Sequence, residues 1–255
     1  MRALILWFAF FATLLIPILL LILFPPWWPI AIAVMALSHA LVLWPTLSPN
    51  SQWLGPVITR FETASKEVWL TIDDGPTDDT TALLDALDAR SVKATFFVKG
   101  SLGTEYPALV RMMRARGHTV ANHSQSHPSG SFWCLPSAAI ARQIDDCNAA
   151  LATITGETPR LFRSPVGMKN PFVHPALSRR GMTLVGWSVR GFDSFGDDAE
   201  RVVKRIVPRV RDGSIVVMHQ GRAFSVTCVN GVVDELQARG YTFVIPDFAR
   251  LKTNR

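Results

Sequence analysis

Charged side chains are almost absent from the first fifth of this sequence. Arg2 is the only lysine, arginine or acidic residue among residues 1–50, whereas the other 25 basic residues and all 20 acidic residues follow residue 50. A helix on the surface of a soluble protein has a polar face, so this distribution excludes an ordinary water-exposed start. We therefore divide the chain into an apolar N-terminal segment, residues 1–46, and a domain of ordinary composition after it.

Cysteine and dense basic clusters are also scarce. The three cysteines are widely spaced and odd in number, which excludes a disulfide framework and a CxxC metal motif. The formal net charge is +6, but no run of lysine and arginine is interleaved with aromatic residues. We therefore expect no nucleic-acid partner, and an affinity for anionic lipid explains the basic excess better.

The N-terminal segment holds two apolar runs. Residues 3–24 form 22 residues without a charge, enough to cross a hydrocarbon core of roughly 30 Å as a helix. A signal peptide is the alternative, but its apolar region is usually shorter and is followed by a small-residue cleavage site. Here PPWWP (residues 25–29) follows, which predicts a turn at the lipid headgroups. Residues 30–44 form the second, shorter run.

These runs predict a transmembrane hairpin that is retained as an anchor in a bacterial-type inner membrane. Two spans make a multi-pass protein and return the following domain to the side of Arg2. Because Arg60 and Lys66 also follow the second run, the positive-inside rule favours the cytoplasm for that domain. If the second run only lies in the membrane interface, the domain faces the opposite side.

Residues 47–66 indicate a linker or a first covering element, and residues 67–250 alternate strand and helix signals. Alternating strands and helices predict a mostly parallel sheet, either open or closed into a barrel. Polar residues fall at the ends of the predicted strands, where an α/β barrel builds its active site. These residues are Asp73, Asp74, His123, Arg163, Asp193 and His219.

The motif HSQSH places His123 and His127 four residues apart, so on a helical turn they would share one face. Two imidazoles and one carboxylate with open positions suit Zn²⁺ or a related divalent ion. The adjacent acids Asp73 and Asp74 fit such a site if one ligates the ion and the other takes a proton from water acidified by it. A turn with a helix cap is the alternative for the acids alone.

Four motifs occur in order, each at a strand end, and together they resemble the polysaccharide deacetylase family, the NodB-homology domain of carbohydrate esterase family 4. The stretches KATFFVKG, GHTVANHS and GWSV support the resemblance, which covers roughly residues 66–247. The four motifs are TIDDGP (71–76), HSQSH (123–127), RSPVG (163–167) and VVMH (216–219).

The resemblance implies a distorted (β/α) barrel that removes N- or O-acyl groups from amino sugars with a divalent metal. Zinc is expected, with Co, Ni or Mn as alternatives. The implied metal ligands are Asp74, His123 and His127. The implied catalytic residues are Asp73 as general base, Arg163 as its partner, His219 as general acid and Asp193 as the residue that orients His219. The implied substrate and oxyanion residues are Pro165, Val166, Trp187 and Val217.

The fourth motif of the family is altered in this chain. In WSVRGFDS, Arg190 stands where an aspartate is expected and Ser194 where a tryptophan is expected, whereas Asp193 matches the second aspartate. We therefore expect a changed wall of the acyl pocket, with Trp187 or Phe192 in place of the missing tryptophan, or a different acyl group or substrate.

Three functions are consistent with these residues. The first is a membrane-anchored deacylase acting on an acylated amino-sugar glycan or a lipid-linked sugar. The second keeps the metal and the base but acts as a deformylase or amidase on a substrate that is not a glycan, since fold does not fix function. The third is a catalytically inactive glycan-binding or scaffold protein. A scaffold has no physical need for ligands, base and acid together, so the complete set argues against it.

Overall fold

The computed structural model describes residues 2–195 and 198–253. Met1 of the predicted hairpin and residues 196–197 of the predicted domain lie outside the described residues. The helices are α1 Arg2–Leu23, α2 Trp28–Leu47, α3 Thr80–Asp88, α4 Gly100–Glu105, α5 Pro107–Ala115, α6 Ser137–Thr155, α7 Val173–Ser178, α8 Ala199–Ile206 and α9 Ser225–Ala238. The strands are β1 Ile58–Phe61, β2 Glu67–Asp73, β3 Thr95–Val98, β4 Thr119–Asn122, β5 Leu161–Phe162, β6 Thr183–Leu184, β7 Val189–Arg190, β8 Ser214–His219, β9 Thr242–Phe243 and β10 Leu251–Thr253.

Two apolar helices precede the domain and contact each other. They are joined by a short turn at Pro25–Trp27, where the PPWWP motif predicted one. Among the described residues, α2 is the one helix that meets the length and hydropathy of a membrane span. Helix α1 runs from Arg2 to Leu23, and its apolar part Phe11–Leu23 is a shorter candidate among those residues. The first of the two predicted spans therefore stays a prediction, whereas the second, α2, is supported. That span exceeds the predicted 30–44 run because the helix continues from Trp28 to Leu47.

The strands form one sheet that curls into a nearly closed barrel. Strands β2 to β6 lie side by side in parallel, and β8 pairs in parallel with the other edge of β2. Strand β1 runs antiparallel to β8, and a single bridge joins Ile58 to Val185, just after β6. This bridge brings the two ends of the sheet together. The predicted distorted (β/α) barrel is confirmed.

The range predicted as a linker contributes to this barrel. Strand β1 lies within residues 47–66 and pairs with β8 and β10. It has four residues and runs antiparallel to its neighbours, so the alternation of parallel strands and helices does not reveal it. The sheet consequently begins before residue 67, where the sequence placed the start of the domain.

Alternation along the strands decides which residues reach the barrel interior. In β2, Leu70 and Ile72 pack against the surrounding helices, whereas Trp69 packs inside the barrel. Because successive side chains of a strand point to opposite faces, Asp73 faces inward like Trp69. Strand β8 follows the same rule: Val217 packs inside the barrel, and His219 lies two residues further on. Inward-facing residues at the carboxyl ends of the strands therefore converge on one rim.

Candidate active site

Asp73 and Arg163 form a buried ion pair at this rim of the barrel. Asp73 is 2% exposed and Arg163 is 1% exposed, and Nη1 of Arg163 donates a hydrogen bond of 2.7 Å to Oδ1 of Asp73. The guanidinium also donates to the Thr71 hydroxyl and to the carbonyl oxygens of Val185 and Gly186. Burial lowers the pKa of Arg163, and the charge of Asp73 opposes that shift. The pair keeps a carboxylate at a fixed position in a dry interior.

Asp74, His123 and His127 form a cluster directly above this pair. Their ligand atoms all lie within 4.8 Å of one another. Nε2 of His127 is 3.4 Å from Oδ1 of Asp74, and Nε2 of His123 is 3.7 Å from the same oxygen. Among the described residues this is the group of histidine, cysteine and acidic side chains that could hold a metal ion.

The backbone that presents this cluster is locally unusual. Asp74 and His127 have positive φ angles of 77° and 50°, and Ser124 between the two histidines has 66°. Residues 123–127 form a bend and not the helical turn that the sequence analysis assumed. The bend is stabilised by Asn122, whose Oδ1 accepts a hydrogen bond from the Ser124 amide. The histidines therefore converge, but through left-handed backbone conformations that are uncommon for residues other than glycine.

The donor set fits a divalent cation. Nδ1 of His123 lies 2.8 Å from the carbonyl oxygen of Arg163, so Nδ1 carries the proton and Nε2 presents its lone pair to the cluster. Burial lowers the pKa of His123, and burial beside His123 lowers the pKa of His127 to about 3. Burial raises the pKa of Asp74, but the charges of His123 and Lys99 outweigh it and hold that pKa far below its usual range. Two neutral imidazoles and one carboxylate are thus available at neutral pH.

Lys99 is a site residue that the sequence analysis missed. Its Nζ lies 2.9 Å from Oδ1 of Asp74, although that oxygen accepts no well-aligned hydrogen bond. Lys99 immediately follows β3, so it obeys the same rule of polar residues at strand ends that drew attention to His123. It supplies a positive charge that partly balances Asp73 and Asp74.

His219 lies at the same rim, on the strand next to that of Asp73. It stands directly opposite Asp73 in the pairing of β2 with β8. Its Nδ1 is 2.9 Å from Oδ1 of Asp193, and its backbone amide donates to Oδ2 of the same carboxylate. Burial lowers the pKa of His219, but the hydrogen bond to Asp193 and the nearby acidic charges reverse the shift, so the pKa is raised overall. Nε2 is left free to face the rim.

The residues predicted to contact the substrate occupy different depths. Pro165 and Val166 form a short turn after β5, in which Val166 has a φ of 55° and is half-buried. Trp187 is 8% exposed, and the guanidinium of Arg163 lies 5.7 Å from its ring centre. Val217 is 1% exposed and lies inside the barrel, one inward-facing position before His219. The turn and Trp187 therefore border the rim, whereas Val217 lies beneath it.

The segment after α2 forms part of the wall of this site. Nδ2 of Asn50 donates to the Trp187 carbonyl oxygen at 2.6 Å, and a side chain added at Gly167 would meet both Pro49 and Trp187. The buried Lys169 donates to the carbonyl oxygens of Ser48 and Pro49. No sequence motif indicates these contacts, because they join side chains to backbone carbonyl oxygens more than 100 residues away in the chain.

The carboxyl rim of this (β/α) barrel carries two histidines and one carboxylate in a cluster, with His219 and the buried Asp73 beside it. This arrangement defines the hydrolase class that the sequence motifs indicated. A family model described as polysaccharide deacetylase matches residues 61–185. A chitooligosaccharide deacetylase from Bradyrhizobium sp. is 32% identical over 189 residues, which is 73% of this chain and 86% of that protein.

A second relative and a solved structure support the same family. The peptidoglycan-N-acetylglucosamine deacetylase PgdA of Listeria monocytogenes is 33% identical over 193 residues; these cover 75% of this chain and 40% of the longer Listeria protein. The family 4 carbohydrate esterase from Streptomyces lividans, solved in complex with acetate, superposes with a TM-score of 0.68 at 30% identity and covers 75% of this chain and 99% of that one. The chain belongs to the polysaccharide deacetylase family, carbohydrate esterase family 4.

Proposed function

We propose that this protein is a metal-dependent hydrolase that removes the N-acetyl group from an amino sugar of a glycan or of a lipid-linked sugar. The observation that carries the proposal is the cluster of Asp74, His123 and His127 beside the Asp73–Arg163 pair, with His219 next to Asp73 on the neighbouring strand. The relatives named as deacetylases of chitooligosaccharide and peptidoglycan support the substrate class.

Asp73 is suited to accept a proton from the attacking water. Its Oδ1 is held by Arg163 at 2.7 Å, while Oδ2 lies 3.8 Å from Nε2 of His123 and so faces the cluster. Arg163 fixes the orientation of the carboxylate through this hydrogen bond. A divalent ion held by Asp74, His123 and His127 would supply acidification of the water and polarisation of the acyl oxygen.

His219 is suited to donate a proton to the departing amine. Attack of the water oxygen on the acyl carbon opens the C=O bond and gives a tetrahedral oxyanion. When this species collapses, the C=O bond forms again, the C–N bond breaks, and the nitrogen takes a proton from Nε2 of His219. Asp193 holds the ring through Nδ1 and stabilises the imidazolium. The backbone N–H of Val166, in the turn beside Arg163, is our candidate donor to the oxyanion. The products are a carboxylate and a free amino sugar.

The identity of the acyl group is tested by product analysis. N-acetylglucosamine oligosaccharides and their N-formyl counterparts are incubated with the purified protein, and acetate, formate and free amine are quantified. We expect acetate and an equal amount of amine. Release of formate alone would favour the deformylase alternative, and release of neither acid from any glycan would favour a non-glycan amide or an inactive scaffold.

Replacement of Asp193 by asparagine is expected to change the pH dependence of kcat. His219 must be protonated to act as an acid, so activity falls as pH rises through its pKa. Because Asp193 raises that pKa, the fall in the unmodified protein lies above the ordinary histidine value, and Asp193→Asn moves it to lower pH. A kcat profile between pH 5 and 10 measures the shift. The exposed Asp212 provides the control, Asp212→Asn; an unchanged alkaline limb in Asp193→Asn would contradict the role.

We also propose that α2 holds the domain at a membrane, as one span of a multi-pass anchor with the domain on the cytoplasmic side. Packing of the segment after α2 onto the barrel supports retention of this helix, because Asn50 and Lys169 tie that segment to the barrel. A reporter of compartment fused after the last residue tests the topology. A signal from the cytoplasm is expected; a signal from the opposite side would contradict the two-span arrangement.

A further inference from the structure

A cleft of about 400 Å³ lies between the end of α2 and the rim of the barrel. One side is formed by Trp44 and residues 48–51, and the other by Trp187 and Arg190. Trp187 also packs against Arg163, the partner of Asp73. Trp187 therefore lines the cleft and also contacts the partner of the proposed catalytic carboxylate, so the cleft adjoins the proposed site.

The cleft contains a positive charge without a hydrogen-bonding partner. The guanidinium of Arg190 lies 4.1 Å from the ring centre of Phe192 and 5.5 Å from that of Trp187. Its Nε is buried and donates no hydrogen bond. The charges of Asp193 and Asp73 act on Arg190, but among residues 2–195 and 198–253 these acids pair with His219 and Arg163, respectively, and neither forms an ion pair with Arg190 within 4.0 Å. Buried donors are normally satisfied, and an arginine does not escape the cost by losing its proton. The rings of Phe192 and Trp187 orient the guanidinium of Arg190, and its N–H groups remain available to a hydrogen-bond acceptor in the cleft.

The surroundings select the kind of acceptor. Trp44 lies in the last turn of α2 and is 71% exposed, as expected of a tryptophan at a lipid–water interface. Ser48 and Ser51 follow it along the same wall. A neutral glycan offers nothing that needs a planar cation at this place. A phosphate ester that joins a sugar to a membrane lipid would put an anion between the catalytic rim and α2.

We propose that Arg190 and this cleft bind the phosphate of a lipid-phosphate-linked amino sugar, so that the acyl group of the sugar reaches the rim beside Trp187. This inference rests on the proposed function and names its substrate more closely. The guanidinium suits the task because its planar N–H groups match the oxygens of phosphate in pairs. This role also accounts for the altered fourth motif. An aspartate at position 190, as the family resemblance leads one to expect, would repel the phosphate, whereas Arg190 attracts it.

The test compares three N-acetylated substrates: a neutral glucosamine oligosaccharide, N-acetylglucosamine 1-phosphate and a polyprenyl-phosphate-linked N-acetylglucosamine. Full-length wild type, Arg190→Gln, Arg190→Lys and Arg179→Gln are assayed for amine release in detergent. Arg179 is exposed and lies on α7's end, away from the cleft, so Arg179→Gln removes the same charge as a control.

We expect Arg190→Gln to raise KM for both phosphorylated substrates, and to lower their kcat/KM relative to the oligosaccharide by roughly tenfold to a hundredfold, the range of one charge-assisted hydrogen bond. Arg190→Lys should retain part of the preference, and Arg179→Gln should match wild type. A higher kcat/KM for the lipid-linked compound than for N-acetylglucosamine 1-phosphate would show that the lipid also contributes to binding.

An equal effect of Arg190→Gln on all three substrates, or no effect, would overturn the inference while leaving the proposed function intact. The same holds if wild type deacetylates the oligosaccharide but neither phosphorylated compound. Absence of amine release from all three by wild type would contradict the proposed function, and this inference with it.

Discussion

Asp73→Asn is expected to lower kcat by roughly 10²–10⁴-fold, the contribution typical of a positioned general base. Asparagine has nearly the same shape and still offers Oδ1 to Arg163, but it cannot take a proton from water. Because Asp74, His123 and His127 are unchanged, the variant should keep its bound metal. The measurement is the initial rate of acetate release from an N-acetylglucosamine oligosaccharide at saturating substrate, with metal content determined on the same sample.

Stability must be measured beside activity for this variant. Asp73 and Arg163 are both buried, and removal of one charge of a buried pair typically costs about 3–5 kcal/mol. Thermal unfolding of Asp73→Asn shows whether the protein is folded at the assay temperature, and Asp212→Asn is the matched surface control. A folded, metal-loaded Asp73→Asn that keeps more than a tenth of the wild-type kcat would exclude Asp73 as the base.

Asp74→Ala is expected to abolish stoichiometric metal binding and, with it, activity. Asp74 supplies the only carboxylate of the three-residue cluster, and its loss leaves two imidazoles near the positive charge of Lys99. Loss of an outer-shell partner of a ligand typically costs 10–100-fold in metal affinity, so loss of a ligand should cost more. Metal content after dialysis, measured by mass spectrometry, and titration of Zn²⁺ into the stripped protein give the affinity without reference to activity.

Asp78→Ala is the control for this experiment. Asp78 is exposed and lies four residues along the same loop, so its substitution removes a nearby acid without touching the cluster. We expect Asp78→Ala to bind about one metal per chain, as wild type does. If Asp74→Ala retained that stoichiometry and affinity, the metal would have to lie elsewhere.

A parallel sheet with polar residues at one rim could be predicted from sequence because two local rules act together, whereas its closure into a barrel was implied by the family resemblance. Parallel strands separated by helices have recognisable hydrophobic patterns, and their carboxyl ends meet at one edge. Asp73 and His219 end such strands and His123 follows one, so their convergence did not require knowledge of any contact. Lys99 follows the same rule, and attention to the end of β3 would have found it.

Other features could not be predicted, because they depend on long-range packing. Strand β1 is too short to be recognised alone and is fixed by its pairing with β8. The bend at residues 123–127 depends on the Asn122 side chain, not on a helical repeat. The residues after α2 contain no motif, yet Asn50 and Lys169 secure them against the rim. The role proposed for Arg190 depends on Trp44, which lies more than 140 residues earlier in the chain and lines the same cleft.

The most direct test of the account is the dependence of acetate release on a divalent ion. Wild-type protein is stripped with a chelator, assayed on an N-acetylglucosamine oligosaccharide, and assayed again after one equivalent of Zn²⁺ is restored. We predict no release above background from the stripped protein and recovery of most of the original rate on reconstitution, with no recovery in Asp74→Ala. An equal rate with and without the ion would contradict the assignment of Asp74, His123 and His127 as the centre of a metal-dependent hydrolase.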